Sequence, residues 1–194
     1  RLLHKFRIYD ISFRKSYKAQ PYALKFMLAN DPWAEKFVGS TIYQAFLSAL
    51  SYHRWHSPIS GKVVKTAVIP GTYYSESRSV GFDPSAPNDS QGYLAEIATR
   101  AVIYIEADNP DIGLICFVAI GMAEVSTCEI TVFQGQHIEK GQETGMFHFG
   151  GSTYCLLFGP KVNIEFDLHG QKPGLESSNI NINFYLAKVG PKKK

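Results

Sequence analysis

The sequence predicts a mainly β fold of the α+β class, with packed antiparallel sheets and one or two small helices. Apolar segments of strand length recur along most of the chain, and turns rich in glycine or proline separate them. A further observation is the glycine-bounded turn unit at residues 135–141, which matches the hairpin of barrel-sandwich hybrid folds. We therefore predict a single domain of the barrel-sandwich-hybrid type over residues 1–194.

The individual elements follow from local patterns. The first 18 residues alternate apolar and charged side chains, which predicts one or two strands. Residues 21–29 predict a short helix that ends at Asn30 and Asp31, before Pro32. Further strands are predicted at residues 61–65, 102–106, 114–120, 129–133 and 179–186. Loops are predicted at residues 70–71, 109–110, 172–174 and 83–92, the last of which is long enough to act as a flexible lid.

The composition excludes several classes of function. The chain is 45% hydrophobic and its net charge of +3 is evenly spread, so it is globular and no nucleic-acid surface is predicted. The three cysteines lack metal-ligand spacing, which predicts buried free thiols and no metal site. The longest apolar run, residues 112–122, is too short to span a membrane. Because the chain opens at Arg1 without an initiator methionine, we expect an N-terminally truncated piece of a longer protein. Buried free thiols are typical of a reducing compartment, so we expect a cytoplasmic location. The protein could form a homodimer.

Three segments contain residues that could perform chemistry. The first, residues 52–58, contains His53 and His56, and histidine is the usual proton carrier near neutral pH. On a strand the two rings would point to opposite faces, whereas on a turn both could approach one site. Taken alone, their spacing favours one hydrogen-bonded core histidine and one surface histidine.

The other two segments are weak signals when each is considered alone. Residues 69–73 are explained by a turn beside a strand. Residues 147–153 place Gly150 and Gly151 before Ser152, so the backbone there can adopt strained or left-handed geometry. A serine hydroxyl can attack the preceding carbonyl if that peptide is distorted and a base takes the proton. A β-bulge or a tight turn would explain the same residues.

Taken together and in this order, the three segments are far more specific. They contain His-Arg-Trp-His-Ser-Pro at 53–58, Pro-Gly-Thr-Tyr at 70–73, and Gly-Gln-x-x-x-Lys-Gly-x-x-x-Gly-x-Phe-x-Phe-Gly-Gly-Ser-Thr at 135–153. This pattern resembles the phosphatidylserine decarboxylase family, and the resemblance extends from about Tyr22 to about Asp167.

Within that family, the chain most resembles a soluble branch of L-tryptophan decarboxylase-like enzymes of the psilocybin-pathway type. Residues 105–109, 121–128 and 145–149 are similar to that branch. Membrane-bound members usually carry a Val-Gly-Ser-like stretch where this chain has residues 124–128. The difference argues against a phospholipid substrate and favours a free L-amino acid, aromatic and tryptophan-like.

The resemblance implies a pyruvoyl-dependent decarboxylase that makes its own cofactor. His56, oriented by an acidic residue, would deprotonate Ser152, whose hydroxyl would attack the Gly151 carbonyl. Cleavage would give chains 1–151 and 152–194, and the second would begin with a covalent pyruvoyl group that forms a Schiff base with the substrate amine. The resemblance assigns protonation of the decarboxylated intermediate to His53. The acidic partner of His56 is expected upstream of Arg1, so this piece by itself could stay uncleaved at Ser152.

Two other functions stay open. One is phosphatidylserine decarboxylase itself, which makes phosphatidylethanolamine and would need a membrane-docking feature that these residues do not show. The other is an inactive barrel-sandwich binding relative or a carrier, although Lys140 lacks the Met or Ala neighbours of a carrier lysine. Aromatic residues near the three segments could stack an aromatic substrate. Arg54 and Arg100 are the candidates for binding its carboxylate.

Overall fold

The structure is a computed structural model that describes residues 22–78, 87–123, 126–148, 152–170, 178 and 180–192, and the backbone of residues 2–7. Its helical elements are α1 (Leu24–Met27), α2 (Gln91–Ile97) and two 3₁₀ segments, Pro32–Phe37 and Pro87–Asp89. Its strands are β1 (Leu2–Arg7), β2 (Thr41–Leu47), β3 (Arg54–His56), β4 (Gly61–Ile69), β5 (Arg100–Ala107), β6 (Leu114–Gly121), β7 (Thr127–Ile130), β8 (His137–Ile138), β9 (Glu143–His148), β10 (Ser152–Phe158), β11 (Asn163–Phe166) and β12 (Ala187–Gly190).

A large antiparallel sheet is the centre of the fold. Its seven strands lie in the order β1-β2-β10-β6-β5-β4-β8. The short helices pack on one face, and a three-stranded sheet in the order β3-β9-β7 packs on the other. Because both faces are covered, β5 and β6 are apolar and buried along almost their whole length.

Strand alternation divides the interior into two cores, since successive side chains point to opposite faces. On β10, Cys155 and Leu157 join the core beneath the helices. Leu156 and Phe158 join the core beneath the small sheet. Ser152 therefore belongs to the face that the small sheet covers, and Thr153 belongs to the face that the helices cover.

The segments that contain candidate reactive residues lie close together at one end of the large sheet. β10 begins there at Ser152, which pairs with Leu47 at the end of β2 and with Gly121 at the end of β6. β4 ends at the same edge, at Ile69, immediately before residues 70–73. Antiparallel pairing brings these strand ends together although they are distant in sequence.

The glycine-bounded hairpin, residues 135–141, lies at the start of β4, the end of that strand farther from Ser152. Its strand β8 pairs with Gly61 and Lys62. Gly135 and Gly141 have φ angles of +94° and +85°, in the left-handed region that favours glycine. The two glycines thus bound a compact turn that connects the large sheet to β9.

Most of the predicted fold is confirmed. The protein is mainly β with antiparallel sheets, and strands β4, β5 and β6 include the predicted segments. The short helix within residues 21–29 is confirmed as α1. Cys116, Cys128 and Cys155 are free, with Cys128 only partly buried. None of the helices in the described part of the chain is long and apolar enough to span a membrane.

Three local predictions are wrong at least in part. The strand predicted at residues 129–133 is present only as β7, which ends at Ile130. Residues 179–186 do not form a strand in their described part: a turn lies at residues 182–183, and β12 begins only at Ala187. The alternation of Asn and Ile is typical of a strand. Asn183, however, adopts a left-handed φ of +59°, which asparagine tolerates in turns. The predicted loop at residues 83–92 includes the start of α2, while residues 83–86 lie outside the described residues.

Candidate functional site

A serine and a histidine meet at the end of the large sheet. The Oγ atom of Ser152 lies 3.2 Å from Nδ1 of His53, and the serine is fully buried. His53 precedes β3, and its carbonyl accepts a hydrogen bond from the backbone amide of Phe147. The pairing of β3 with β9 therefore positions the imidazole over the first residue of β10.

The surroundings of His53 favour a neutral ring. Burial lowers the pKa of His53 below its usual value of 6.5, and the nearby backbone carbonyls of Ala49 and Ser48 oppose this shift only in part. Its ring lies nearly perpendicular to that of Phe147, with ring centroids 6.3 Å apart. A neutral His53 that accepts the Ser152 proton at Nδ1 carries its own proton on Nε2. That Nε2 atom is buried and makes no hydrogen bond within the described residues.

His56 lies in a different environment. Its Nδ1 is 2.8 Å from the carbonyl oxygen of Gly141, and its Nε2 is 2.7 Å from the hydroxyl of Tyr52. Because a carbonyl can only accept, Nδ1 carries a proton, and in the neutral ring Nε2 accepts the Tyr52 hydroxyl proton. The Tyr52 ring also stacks on the imidazole, with centroids 5.6 Å apart. Of the two predicted histidines, the structure thus brings His53 to Ser152 and holds His56 against the hairpin.

Residues 69–73 lie at the same sheet edge as Ser152. The amide of Gly71 donates to Oγ1 of Thr99, and the Thr99 hydroxyl donates to the Gly71 carbonyl. A Cβ atom on Gly71 would lie 2.3 Å from the carbonyl oxygen of Ile97, so only glycine fits. Thr99 also accepts a hydrogen bond from Gly121, the β6 partner of Ser152. This segment therefore packs the edge of the site, as its turn interpretation predicts.

The two arginines that were candidates for binding a carboxylate have other partners. Arg54 forms an exposed ion pair with Glu143, at 2.7 Å. Arg100 is buried, and its guanidinium donates to the carbonyls of Phe26 and Met27 at the end of α1. Burial lowers the pKa of Arg100 to about 10, so it stays charged at neutral pH. Both guanidinium groups thus have partners within the protein, and that of Arg54 stays about half exposed.

Part of the predicted site lies outside the described residues. These positions are Gly151, the two residues before it, and residues 124–125. The cleavage position between Gly151 and Ser152 therefore stays a prediction, as do the separate roles of His53 and His56.

Sequence reasoning missed a polar chain on the opposite face of β10. The side chains of Tyr22, Gln44 and Thr153 are joined by hydrogen bonds and are fully buried. The only signal in the sequence is a glutamine within the otherwise apolar strand β2, and nothing local indicates its partners.

Comparisons with known proteins place the chain in a family. A sequence model described as phosphatidylserine decarboxylase matches residues 7–175. The chain is 46% identical over 184 residues to "Decarboxylase iboD" of Amanita muscaria, covering 89% of this chain and 51% of that protein. It is 47% identical over 148 residues to "L-tryptophan decarboxylase" of Psilocybe cubensis, covering 72% and 34%. It is 32% identical over 162 residues to "Phosphatidylserine decarboxylase proenzyme" of Ruminiclostridium cellulolyticum, covering 82% and 51%. The chain spans about half or less of the length of these relatives.

The environment of His53 leads to a prediction about its titration. In the Ser152→Ala variant, the imidazole of His53 should titrate below 6.5, because burial disfavours the imidazolium ion. Nuclear magnetic resonance of the ring C–H signals across a pH series measures this pKa. The same ring in urea-unfolded protein is the control and should titrate near the ordinary histidine value. A folded-state pKa at or above 6.5 would contradict the burial argument.

Proposed function

The chain belongs to the phosphatidylserine decarboxylase family, and on that basis we propose that it forms the catalytic part of a pyruvoyl-dependent amino-acid decarboxylase. The observation that carries the proposal is the 3.2 Å contact between Ser152 Oγ and His53 Nδ1 at the sheet edge where the family motifs converge. The proposed substrate is a free aromatic L-amino acid, tryptophan-like.

The first proposed reaction is self-cleavage. The Ser152 hydroxyl attacks the Gly151 carbonyl, the peptide C–N bond breaks, and the hydroxyl proton ends on the freed nitrogen. The resulting ester loses the Cα proton of residue 152 and releases the Gly151 carboxylate, leaving dehydroalanine. Addition of water and loss of ammonia give a pyruvoyl group at the start of residues 152–194. No oxidant or reductant is needed, because the steps are an acyl shift, an elimination and a hydrolysis.

The residues around Ser152 suit such a group. A pyruvoyl ketone at this position would supply an electron sink for the electron pair released when carbon dioxide leaves the substrate. The position is fully buried and the adjacent imidazole is neutral, so water and competing charge are limited. His53 is close enough to hold or deliver a proton beside atoms derived from Ser152.

The two histidines are proposed to have separate roles. His53 contacts Ser152 and suits the protonation step that follows loss of carbon dioxide. His56 is proposed to act as the base in self-cleavage, which requires its Nε2 to exchange the Tyr52 hydroxyl for the Ser152 hydroxyl. The alternative is that His53 performs both steps, since its Nδ1 already lies within hydrogen-bond distance of the Ser152 hydroxyl.

Three observations favour a free aromatic amino acid as the substrate. Tyr73 and Tyr74 are exposed at the sheet edge that contains Ser152 and offer stacking surfaces. Arg54 and Arg100 are engaged elsewhere, which suits a carboxylate that must leave from an apolar setting. Two of the fungal relatives are also named L-tryptophan decarboxylase.

Phosphatidylserine decarboxylase is the second candidate, because relatives at 30% to 34% identity carry that name. An inactive binding relative would not need a buried serine beside a neutral, half-buried imidazole. A cytoplasmic location and a homodimer stay predictions from the sequence.

Ser152→Ala in the full-length protein should abolish both cleavage and decarboxylation, because the hydroxyl is the nucleophile and the source of the cofactor. Intact mass and a denaturing gel measure cleavage. Hydroxylamine, which cleaves esters but not amides, should accelerate fragmentation of the wild type alone. Ser40→Ala is the matched control, since Ser40 is equally buried and its hydroxyl has no partner within the described residues. Two chains from the Ser152→Ala variant would refute the proposed function.

Substitution of the histidines should separate the two reactions. His56→Ala should stay uncleaved, whereas His53→Ala should cleave but decarboxylate about 100- to 10,000-fold more slowly, the usual scale for loss of a general acid or base. His137→Ala is the control, because that exposed ring pairs with Asp108 away from Ser152. If the His53→Ala variant stays uncleaved, His53 and not His56 would be assigned as the base in self-cleavage. Normal maturation and turnover in both variants would exclude both residues.

The matured protein should release carbon dioxide from free L-tryptophan faster than from phosphatidylserine in vesicles. A free amino acid needs only a pocket with a stacking wall, whereas a phospholipid enzyme must reach a head group at a bilayer. Labelled carbon dioxide measures both reactions, and D-tryptophan tests stereospecificity. Turnover on vesicles with none on any free amino acid would instead assign the phospholipid activity.

A further inference from the structure

A buried chain of hydrogen bonds ends at the residue that follows Ser152. The Tyr22 hydroxyl donates to Oε1 of Gln44 at 2.8 Å, and Nε2 of Gln44 donates to Oγ1 of Thr153 at 3.3 Å. The Thr153 hydroxyl in turn donates to the carbonyl of Ala45 at 2.9 Å. Tyr22 is 1% exposed, and Gln44 and Thr153 are 0% exposed.

The direction of this chain is fixed by its last acceptor. The Ala45 carbonyl cannot donate, so the Thr153 hydroxyl must donate to it and can only accept from Gln44. The Gln44 amide must then present nitrogen to Thr153 and oxygen to Tyr22. Each side-chain group in the Tyr22–Gln44–Thr153 chain therefore has one orientation, and a rotation of Thr153 would break a buried bond.

The Tyr22–Gln44–Thr153 hydrogen-bond chain lies on the helix-covered face of β10, while Ser152 faces His53 on the opposite face. Because neighbouring side chains on a strand are coupled through one backbone, anchoring Thr153 also fixes the direction of the Ser152 Cα–Cβ bond. Gln44 and Ala45 are on β2, the strand that pairs with β10. The anchor therefore holds β10 at its first residues, where the reacting hydroxyl lies.

Burial of a glutamine amide in this core needs a reason besides packing. The same face of β2 and β10 contains Ile42, Phe46, Cys155 and Leu157, all buried and apolar. An apolar side chain at position 44 would fill the same space without any need for partners. Fully satisfied buried polar networks specify geometry, and this one specifies the geometry of Thr153.

We propose that Gln44 and Tyr22 are positioning residues that act through the Thr153 hydroxyl to hold Ser152 in its reactive orientation for self-cleavage. After cleavage, the backbone nitrogen of Thr153 carries the new terminal group, so the same anchor holds the cofactor. This inference rests on the proposed function, because it concerns the geometry of the Ser152 attack.

The test compares Thr153→Val with Thr153→Ser in the full-length protein. Valine matches threonine in shape but removes the hydroxyl, whereas serine keeps the hydroxyl. Cleavage by Thr153→Val should be slower by on the order of 10- to 100-fold, the scale expected when a reacting group is misplaced by about 1 Å. Thr153→Ser should restore a rate close to that of the wild type. Thr41→Val is the matched control, at the opposite end of the same strand pair.

Gln44→Met and Tyr22→Phe extend the test to the other two residues of the hydrogen-bond chain. Each variant should cleave more slowly than the wild type. The double variant with Gln44→Met and Thr153→Val should cleave no more slowly than Thr153→Val alone, because both substitutions remove the same anchor. The hydroxylamine-sensitive ester fraction should fall in parallel. Urea unfolding in the Ser152→Ala background measures the stability of each variant without cleavage. If Thr153→Val proves too unstable to fold, Tyr22→Phe provides the same comparison with the smallest change in volume.

The outcomes separate this inference from the proposed function. A wild-type protein that never cleaves would overturn the proposed function, and the inference with it. A wild type that cleaves while Thr153→Val cleaves equally fast, or slows only as much as Thr41→Val, would overturn the inference alone. Additive effects of the Gln44 and Thr153 substitutions would also overturn it.

Discussion

The antiparallel pairing of β10 between β2 and β6 is the constraint on which the site depends. Ser152 starts β10, and its register opposite Leu47 and Gly121 fixes the sheet edge at which the hydroxyl lies. The segment with His53 follows β2, so the same register brings the imidazole close. A one-residue slip of β10 would turn Ser152 to the helix-covered face and separate it from His53.

The two faces of β10 have different physical tasks. On the side of the small sheet, Ser152 meets a half-buried neutral imidazole, an environment suited to proton transfer. On the helix side, Thr153 joins a polar chain in which each hydrogen-bonding role is fixed. One strand end thus combines the proposed nucleophile and its proposed anchor, because the side chains of these adjacent residues point to opposite faces.

Burial controls the charged groups around the site. It keeps His53 neutral, and it makes Arg100 bind backbone carbonyls at the end of α1, since a buried guanidinium needs acceptors. His56 is held differently, with both ring nitrogens hydrogen-bonded. Among the described residues, a neutral imidazole therefore lies next to the serine.

The sequence by itself determined the mainly β class, the short helix, the three motif segments and the family, because these depend on local periodicity and on residues close together in the chain. The tertiary structure decided which histidine contacts Ser152. His53 and Ser152 are 99 residues apart, and the sequence pattern alone did not distinguish His53 from His56. It also decided the role of Gln44, whose partner Thr153 is 109 residues away. Local patterns failed at residues 179–186, where alternation imitated a strand. Hydrogen-bond partners distant in sequence are set by strand register, and register depends on how whole faces are buried.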